Sequence, residues 1–215
     1  MNPNTPVLVG VAAVQQKDPD YTQTLEPLAL MEKALRDAAA DAGAPALLCS
    51  ADEILVPKGI WGYSDPARLL AAAFQAPAAT TVYAEIGVSQ QTLLTRACQR
   101  IASGESRVVL VTGAEAKFRS ACAGKAGAEA AETVQEGVEP DVKLLPENEL
   151  WSEVESAAGL GMPVGYYAIM DSALRHKQGL SPGQHRDQMA QMDQRLSEIA
   201  AGNPDAGSDE PVDAE

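Results

Sequence analysis

Between Thr81 and Ala116 the chain reads TVYAEIGVSQQTLLTRACQRIASGESRVVLVTGAEA: strand, tight turn, helix, short turn, strand. Thr80–Ile86 is rich in β-branched residues and predicts a strand. Ser89 caps a helix on which Leu93, Leu94, Ala97, Cys98 and Ile101 recur at helical spacing, and Gly104 closes it. Val108–Val111 is wholly apolar, the composition of a strand buried on both faces. Two strands joined through a helix in so few residues must run parallel, with the helix laid across the sheet. The turn into the helix, Ile86-Gly87-Val88-Ser89, is where many α/β enzymes hold a nucleophile or an anion, and here it contains no cysteine.

Upstream the same alternation recurs. Pro6–Val14 is an apolar run that predicts a buried strand, with Gly10 admitting a close neighbour. Glu26-Pro27 opens a helix that Gly43 ends. Asp52–Pro57 predicts a second strand, and Ser64 or Asp65 caps a helix over Pro66–Gln75. The order β-α-β-α-β-α-β predicts an α/β fold with a mostly parallel sheet flanked by helices over residues 1–116. The pattern breaks after Ala116. Residues 117–203 read as a long helical and loop excursion, helical over Val164–Lys177 and from Ser181-Pro182 to about Ala201. Residues 204–215 are an acidic end without core-forming content.

The 215 residues carry a formal charge of -14, and acidic residues dominate from Glu129 to Glu155, where Lys143 is the one base. Clustered cations for a phosphate backbone are missing, so nucleic acid is not an expected partner. No apolar run reaches the ~20 residues of a membrane span, and the N-terminus lacks a secretion signal, so a cytoplasmic location is expected. Three cysteines without metal-ligand spacing predict neither a disulfide framework nor a zinc site. Cys98 reads as core packing on its helix, Cys49 as buried before a strand, and Cys122 as an incidental thiol. His176 and His185 read as surface residues. No Gly-rich dinucleotide or phosphate loop follows the first predicted strand.

Ile101-Ala-Ser-Gly104-Glu105, Arg107-Val-Val-Leu-Val-Thr-Gly113 and Glu115 together resemble the helix-strand signature of the thiolase superfamily. The opening PVLVGVAAVQQ and the helix EPLALMEKALRDAAADAG resemble that family's first strand and helix. GLSPGQHRDQMAQMDQRLSEIAAGNPDA is similar to the excursion of sterol-carrier-type thiolases and their thiolase-like relatives. The resemblance implies a thiolase-like N-terminal half and a coenzyme A thioester as substrate or ligand, with no covalently bound cofactor. It implies acyl-CoA chemistry of the acetyl-CoA acetyltransferase kind, within lipid metabolism, or retro-aldol carbon-carbon cleavage on a β-oxidised acyl-CoA. A non-catalytic acyl-CoA binder, or a structural subunit of a heteromeric thiolase-like complex, is the alternative.

The family's nucleophilic cysteine falls on Gly87, which has no side chain. Cys98 stands eleven residues further on, ~16 Å along a helix. Ser89 is the weak substitute, and its simplest role is the cap. Lys117, Arg119 and Lys125 are the cations expected to meet coenzyme A phosphates, and Met162 the residue expected near the thioester arm. The family's Gly-His-Pro histidine and second cysteine have no counterpart, so the chain is expected to be incomplete or inactive alone. Its expected partners are acyl-CoA and a twin paired through Thr80–Ile86. A heteromeric partner supplying the second half or an acyl-CoA-binding barrel would stand in for the twin.

Overall fold

The computed structural model describes residues 4–208 and 210–214, so Asp209 and Glu215 of the acidic end lie outside the described residues. The chain divides into two compact units, one ending at Asn148 and the other beginning at Glu149.

The first unit contains α1 (Pro27–Asp41), β1 (Glu53–Pro57), α2 (Pro66–Ala73), β2 (Thr80–Ala84), α3 (Gln90–Ala102), β3 (Val109–Val111), α4 (Lys117–Lys125) and β4 (Val142–Leu144). Local chemistry sets the helix ends. Pro27 fits the first turn of α1, where no N–H is needed, and Gly43 takes a φ of +63° just past its end. Asp65 Oδ1 accepts the Arg68 N–H at 3.0 Å and starts α2. Ser89 Oγ accepts the Gln91 N–H at 3.2 Å and starts α3.

The strands form one sheet in the order β3-β1-β2-β4, every pairing parallel. Alternate residues divide between its faces. Ile54, Val56 and Tyr83 pack with Met31 and Leu35 of α1 and with Leu70 of α2. Leu55, Val82 and Ala84 turn the other way and pack on Leu93 of α3. Glu53 shares that second face and is 1 % exposed. Its carboxylate is met by Arg96 Nε at 3.1 Å, by the Arg100 guanidinium and by the Ser106 hydroxyl at 3.3 Å, so the buried charge is paired.

Several expectations are corrected. Pro6–Val14 is no strand; the run belongs to no sheet, and Leu8 is 82 % exposed. Its apolar composition reads the same whether the run is buried or lies against a groove. Gly10 nevertheless has its close neighbour, because a Cβ there would stand 2.1 Å from the Ala38 carbonyl oxygen of α1. Thr80–Ile86 does not offer a free edge for a twin: β4, from the expected excursion, pairs along it from Val82 to Ala84. Asp141 Oδ2 accepts the Thr81 N–H at 2.8 Å and the Glu85 N–H reaches the Leu144 carbonyl at 2.9 Å, which extends that cover at both ends. β3 is half-buried rather than buried on both faces, and Leu93 is the one fully buried residue of α3. Cys98 and Cys49 are exposed.

The second unit holds α5 (Glu153–Ala157), α6 (Pro163–Lys177) and α7 (Pro182–Ala200). Capping boxes at Ser152 with Glu155, and at Ser181 with Gln184, start α5 and α7. His185, read as a surface residue, is buried, with Nε2 2.8 Å from Asp171 Oδ2. Within the acidic end the Val212 N–H donates to Ser197 Oγ of α7 at 3.0 Å.

Candidate functional site

In an open parallel sheet the loops leaving the carboxyl ends of the strands share one rim, where sites in such sheets gather. Here those loops begin at Lys58 after β1, at Glu85 after β2 and at Thr112 after β3.

The β2 loop makes the entrance of α3. The Val88 N–H donates to the Glu85 carbonyl at 3.0 Å, and Gly87 between them takes a φ of +98°. An L side chain rarely adopts that backbone, so the turn itself selects glycine. Ser89 follows in extended conformation, with its oxygen committed to the cap. The mouth of α3 thus offers backbone N–H groups and the positive end of the helix dipole, but no attacking side chain.

Two lysines and a carboxylate gather elsewhere on the rim, around Tyr83, whose side chain packs on the α1 and α2 face of the sheet. Lys58 Nζ donates to the Tyr83 hydroxyl at 2.9 Å and lies 3.9 Å from Glu85 Oε1. Lys143 Nζ approaches Glu85 Oε2 at 3.6 Å. The bond to Tyr83 raises the pKa of Lys58 above the ordinary lysine value, partly opposed by burial and helped by Glu85, so Lys58 is a cation at neutral pH. On the third side Glu115 Oε1 accepts the Ile60 N–H at 2.7 Å, and Trp61 Nε1 donates to the Ala114 carbonyl at 3.1 Å. The β1 and β3 loops are thereby tied together. The rim can attract an anion or polarise an oxygen; it cannot form a covalent intermediate at the helix mouth.

The residues singled out from the sequence do not all come together. Gly87 and Ser89 share the α3 entrance. Lys117, Arg119 and Lys125 lie on α4, where the two-residue step turns Arg119 away from Lys117, while Lys117 and Lys125 share a broad face about two turns apart. Arg119 turns inward and donates to the Ala131 carbonyl at 2.9 Å. Met162 belongs to the second unit, exposed at the start of α6. Lys58, Tyr83, Glu85 and Lys143 went unnoticed in the sequence. For one of them a signal was present: Lys58 sits immediately past the predicted strand Asp52–Pro57, on the rim side, whereas Glu85 fell inside the predicted strand Thr80–Ile86 and follows the observed β2.

No family model and no curated protein matches the sequence. Solved structures do match its shape. A monomeric SCP2-thiolase like protein type 1 from Mycobacterium smegmatis superposes on 99% of the chain with a TM-score of 0.64 at 24% identity. An Ltp2-ChsH2(DUF35) aldolase superposes on 100% of it with a TM-score of 0.59 at 18% identity. The chain has a thiolase-like fold. It spans 38% of the first of those proteins and 48% of the second, less than half of either. Within the thiolase-like fold, the place that the sequence resemblance reserves for a nucleophilic cysteine is the left-handed Gly87. Among the described residues no group of His, Cys, Asp or Glu is placed to hold a metal ion, and no helix is long and apolar enough to cross a membrane.

Proposed function

We propose that this chain is a thiolase-like acyl-CoA protein that binds a coenzyme A thioester without transferring its acyl group by itself. The observation that carries the reading is the α3 entrance: a thiolase-like fold with Gly87 at φ +98° where an attacking sulfur belongs. Ser89 does not replace that sulfur, because its oxygen is the helix cap and no histidine of the first unit is available as its base. Cys98 is exposed but lies two turns along α3, away from the mouth. Lys58 at the rim and Lys117 and Lys125 on α4 are the cations assigned to the anionic ligand.

Two chemistries remain within this reading, and both dispense with an acyl-enzyme. One is retro-aldol cleavage, which needs a base and an oxyanion site but no nucleophile. The other is passive: the chain serves as an acyl-CoA-binding subunit of a heteromeric complex. The second structural neighbour names two components, Ltp2 and ChsH2, and so is a precedent for an assembly of that kind.

Purified chain is incubated with acetoacetyl-CoA and coenzyme A while acetyl-CoA is followed, and acyl-CoA binding is measured by calorimetry. The expected result is a saturable complex, no acetyl-CoA, and no mass increase on the intact protein. Acetyl-CoA production, or an acyl adduct on Ser89 or Cys98, would overturn the proposal, as would failure of any acyl-CoA to bind.

A further inference from the structure

Val56, Tyr83 and Lys143 stand in one row across the sheet: Val56 of β1 pairs with Tyr83 of β2, and Tyr83 with Lys143 of β4. Lys58 and Glu85 follow Val56 and Tyr83 at the next alternate position, so strand periodicity returns them to the same face. The Lys58 N–H donates to the Ala84 carbonyl at 2.7 Å and the Glu85 N–H to the Leu144 carbonyl at 2.9 Å, which fixes both just past the strand ends. Backbone register thus gathers two ammonium groups, a phenol and a carboxylate on the face that packs against α1 and α2.

The polar groups of this cluster do not satisfy one another. Lys58 Nζ donates to the Tyr83 hydroxyl oxygen at 2.9 Å. It stands 3.9 Å from Glu85 Oε1, and Lys143 Nζ stands 3.6 Å from Glu85 Oε2. A direct ammonium–carboxylate bond spans ~2.7–2.9 Å, so Glu85 balances charge without accepting a hydrogen bond from either lysine. Tyr83 is 4 % exposed, yet its own O–H meets no acceptor among the described residues, because the ammonium beside it can only donate.

The donors select the ligand. Lys58 retains further N–H groups and Lys143 all of its own, with the Tyr83 O–H between them in the row. A planar carboxylate is already at hand in Glu85 and leaves both ammonium groups unbonded. A phosphate group carries three acceptor oxygens in a tetrahedral fan and about −1.5 to −2 charges at pH 7, which suits two cations and a phenol together. A nucleic-acid backbone also presents phosphates, but a chain of charge -14 repels it.

We propose that Lys58, Tyr83 and Lys143 form a phosphate site on the face of the sheet opposite α3, with Glu85 as the internal counter-ion that a phosphate displaces. The inference goes beyond the acyl-CoA reading: it adds Tyr83 and Lys143 to Lys58, and the site recognises the phosphate group whether it is free or carried by a coenzyme.

The test titrates the full chain, isotopically labelled at lysine, with inorganic phosphate at pH 7 and constant ionic strength. The side-chain signals of Lys58 and Lys143 are identified by their loss in Lys58→Gln and Lys143→Gln. Saturable shifts of both signals are expected, and acetate at the same ionic strength should produce none. Lys143→Gln, on a half-exposed side chain outside the core, should weaken phosphate binding roughly tenfold, and Tyr83→Phe, which removes a hydroxyl but no charge, about fivefold. Glu85→Gln should tighten it about threefold. Lys33→Gln, the same loss of charge on an exposed position of α1, should leave it unchanged. Coenzyme A and 3′-dephospho-coenzyme A identify the source: tighter binding of the first assigns the site to the ribose phosphate of the coenzyme, and no response to either assigns it to free phosphate. Phosphate binding that persists where no acyl-CoA binds would sink the acyl-CoA reading alone. No saturable shift at either lysine, an equal response to acetate, undiminished binding by Tyr83→Phe, or Glu85→Gln that fails to tighten would each overturn the phosphate site.

Discussion

Arg68 Nη2 stands 2.7 Å from Asp141 Oδ1, and the other oxygen of Asp141 accepts the Thr81 N–H at 2.8 Å. One carboxylate thus ties α2 and β2 to the residue that enters β4. The Thr81 N–H first, and the Arg68 guanidinium next, hold the Asp141 carboxyl below its ordinary pKa. A carboxylate lowered on folding stabilises the native state above its unfolded pKa of ~3.9, and that stabilisation is lost as pH falls through the lower native value. Asp141→Asn should therefore lower the urea midpoint at pH 7, and its gap to the parent chain should narrow once pH drops below ~3.9. A gap independent of pH would mean that the charge of Asp141 is irrelevant to the latch.

Glu53 is the buried charge on which α3 is anchored, through Arg96 and Arg100. Removing one partner of a buried pair strands the others, at a cost of about 3 kcal/mol. Glu53→Ala is expected to destabilise the first unit by that order in denaturant melts. A loss under about 0.5 kcal/mol, the scale of an exposed pair, would show that water reaches the site.

Gly10 is predicted to hold the N-terminal segment against α1. A side chain there must displace the Ala38 carbonyl, whose oxygen stands 2.1 Å from the position of an added Cβ. Gly10→Val should release Pro6–Ala12 to limited proteolysis while costing only about 1 kcal/mol of global stability, because the sheet does not include the segment. Unchanged cleavage in the variant would disprove the close approach.

A thiol can be introduced at Gly87, the position that the sequence resemblance gives to a nucleophile, but the backbone opposes it. With φ at +98° any L residue is strained, and Gly87→Cys is expected to cost about 1–2 kcal/mol. It should not confer thiolysis of acetoacetyl-CoA, since the sequence also lacks the Gly-His-Pro histidine of the family. Turnover by this single variant would show that the remaining machinery is already present.

Helices α1, α2 and α3 and the β1-α2-β2-α3-β3 alternation were legible in the sequence within a few residues, whereas α4 was read as part of the excursion. Asp65 and Ser89 mark helix starts by bonds made within one turn, Pro27 by the N–H it lacks in the first turn, and Gly43 and Gly104 mark the ends by their left-handed φ. The glycine turn at Gly87 was legible too, since it stands between a predicted strand and a capped helix. The rim was only half legible. Lys58 and Glu85 stand where strands end, yet Lys143 joins them from residues read as an irregular excursion.

The sequence by itself determined the parallel α/β pattern, the caps and the glycine turn at the entrance of α3, because each rests on contacts between residues near in the chain. Tertiary structure alone decided which strands are edges. Val142–Leu144, short and preceded by Glu139-Pro140-Asp141, covers β2, while the long apolar run at Pro6–Val14 pairs with no strand and leaves β3 open. Hydrophobic periodicity records that a surface wants cover; the backbone that supplies it is chosen by hydrogen bonds between distant segments, which leave no mark on local composition.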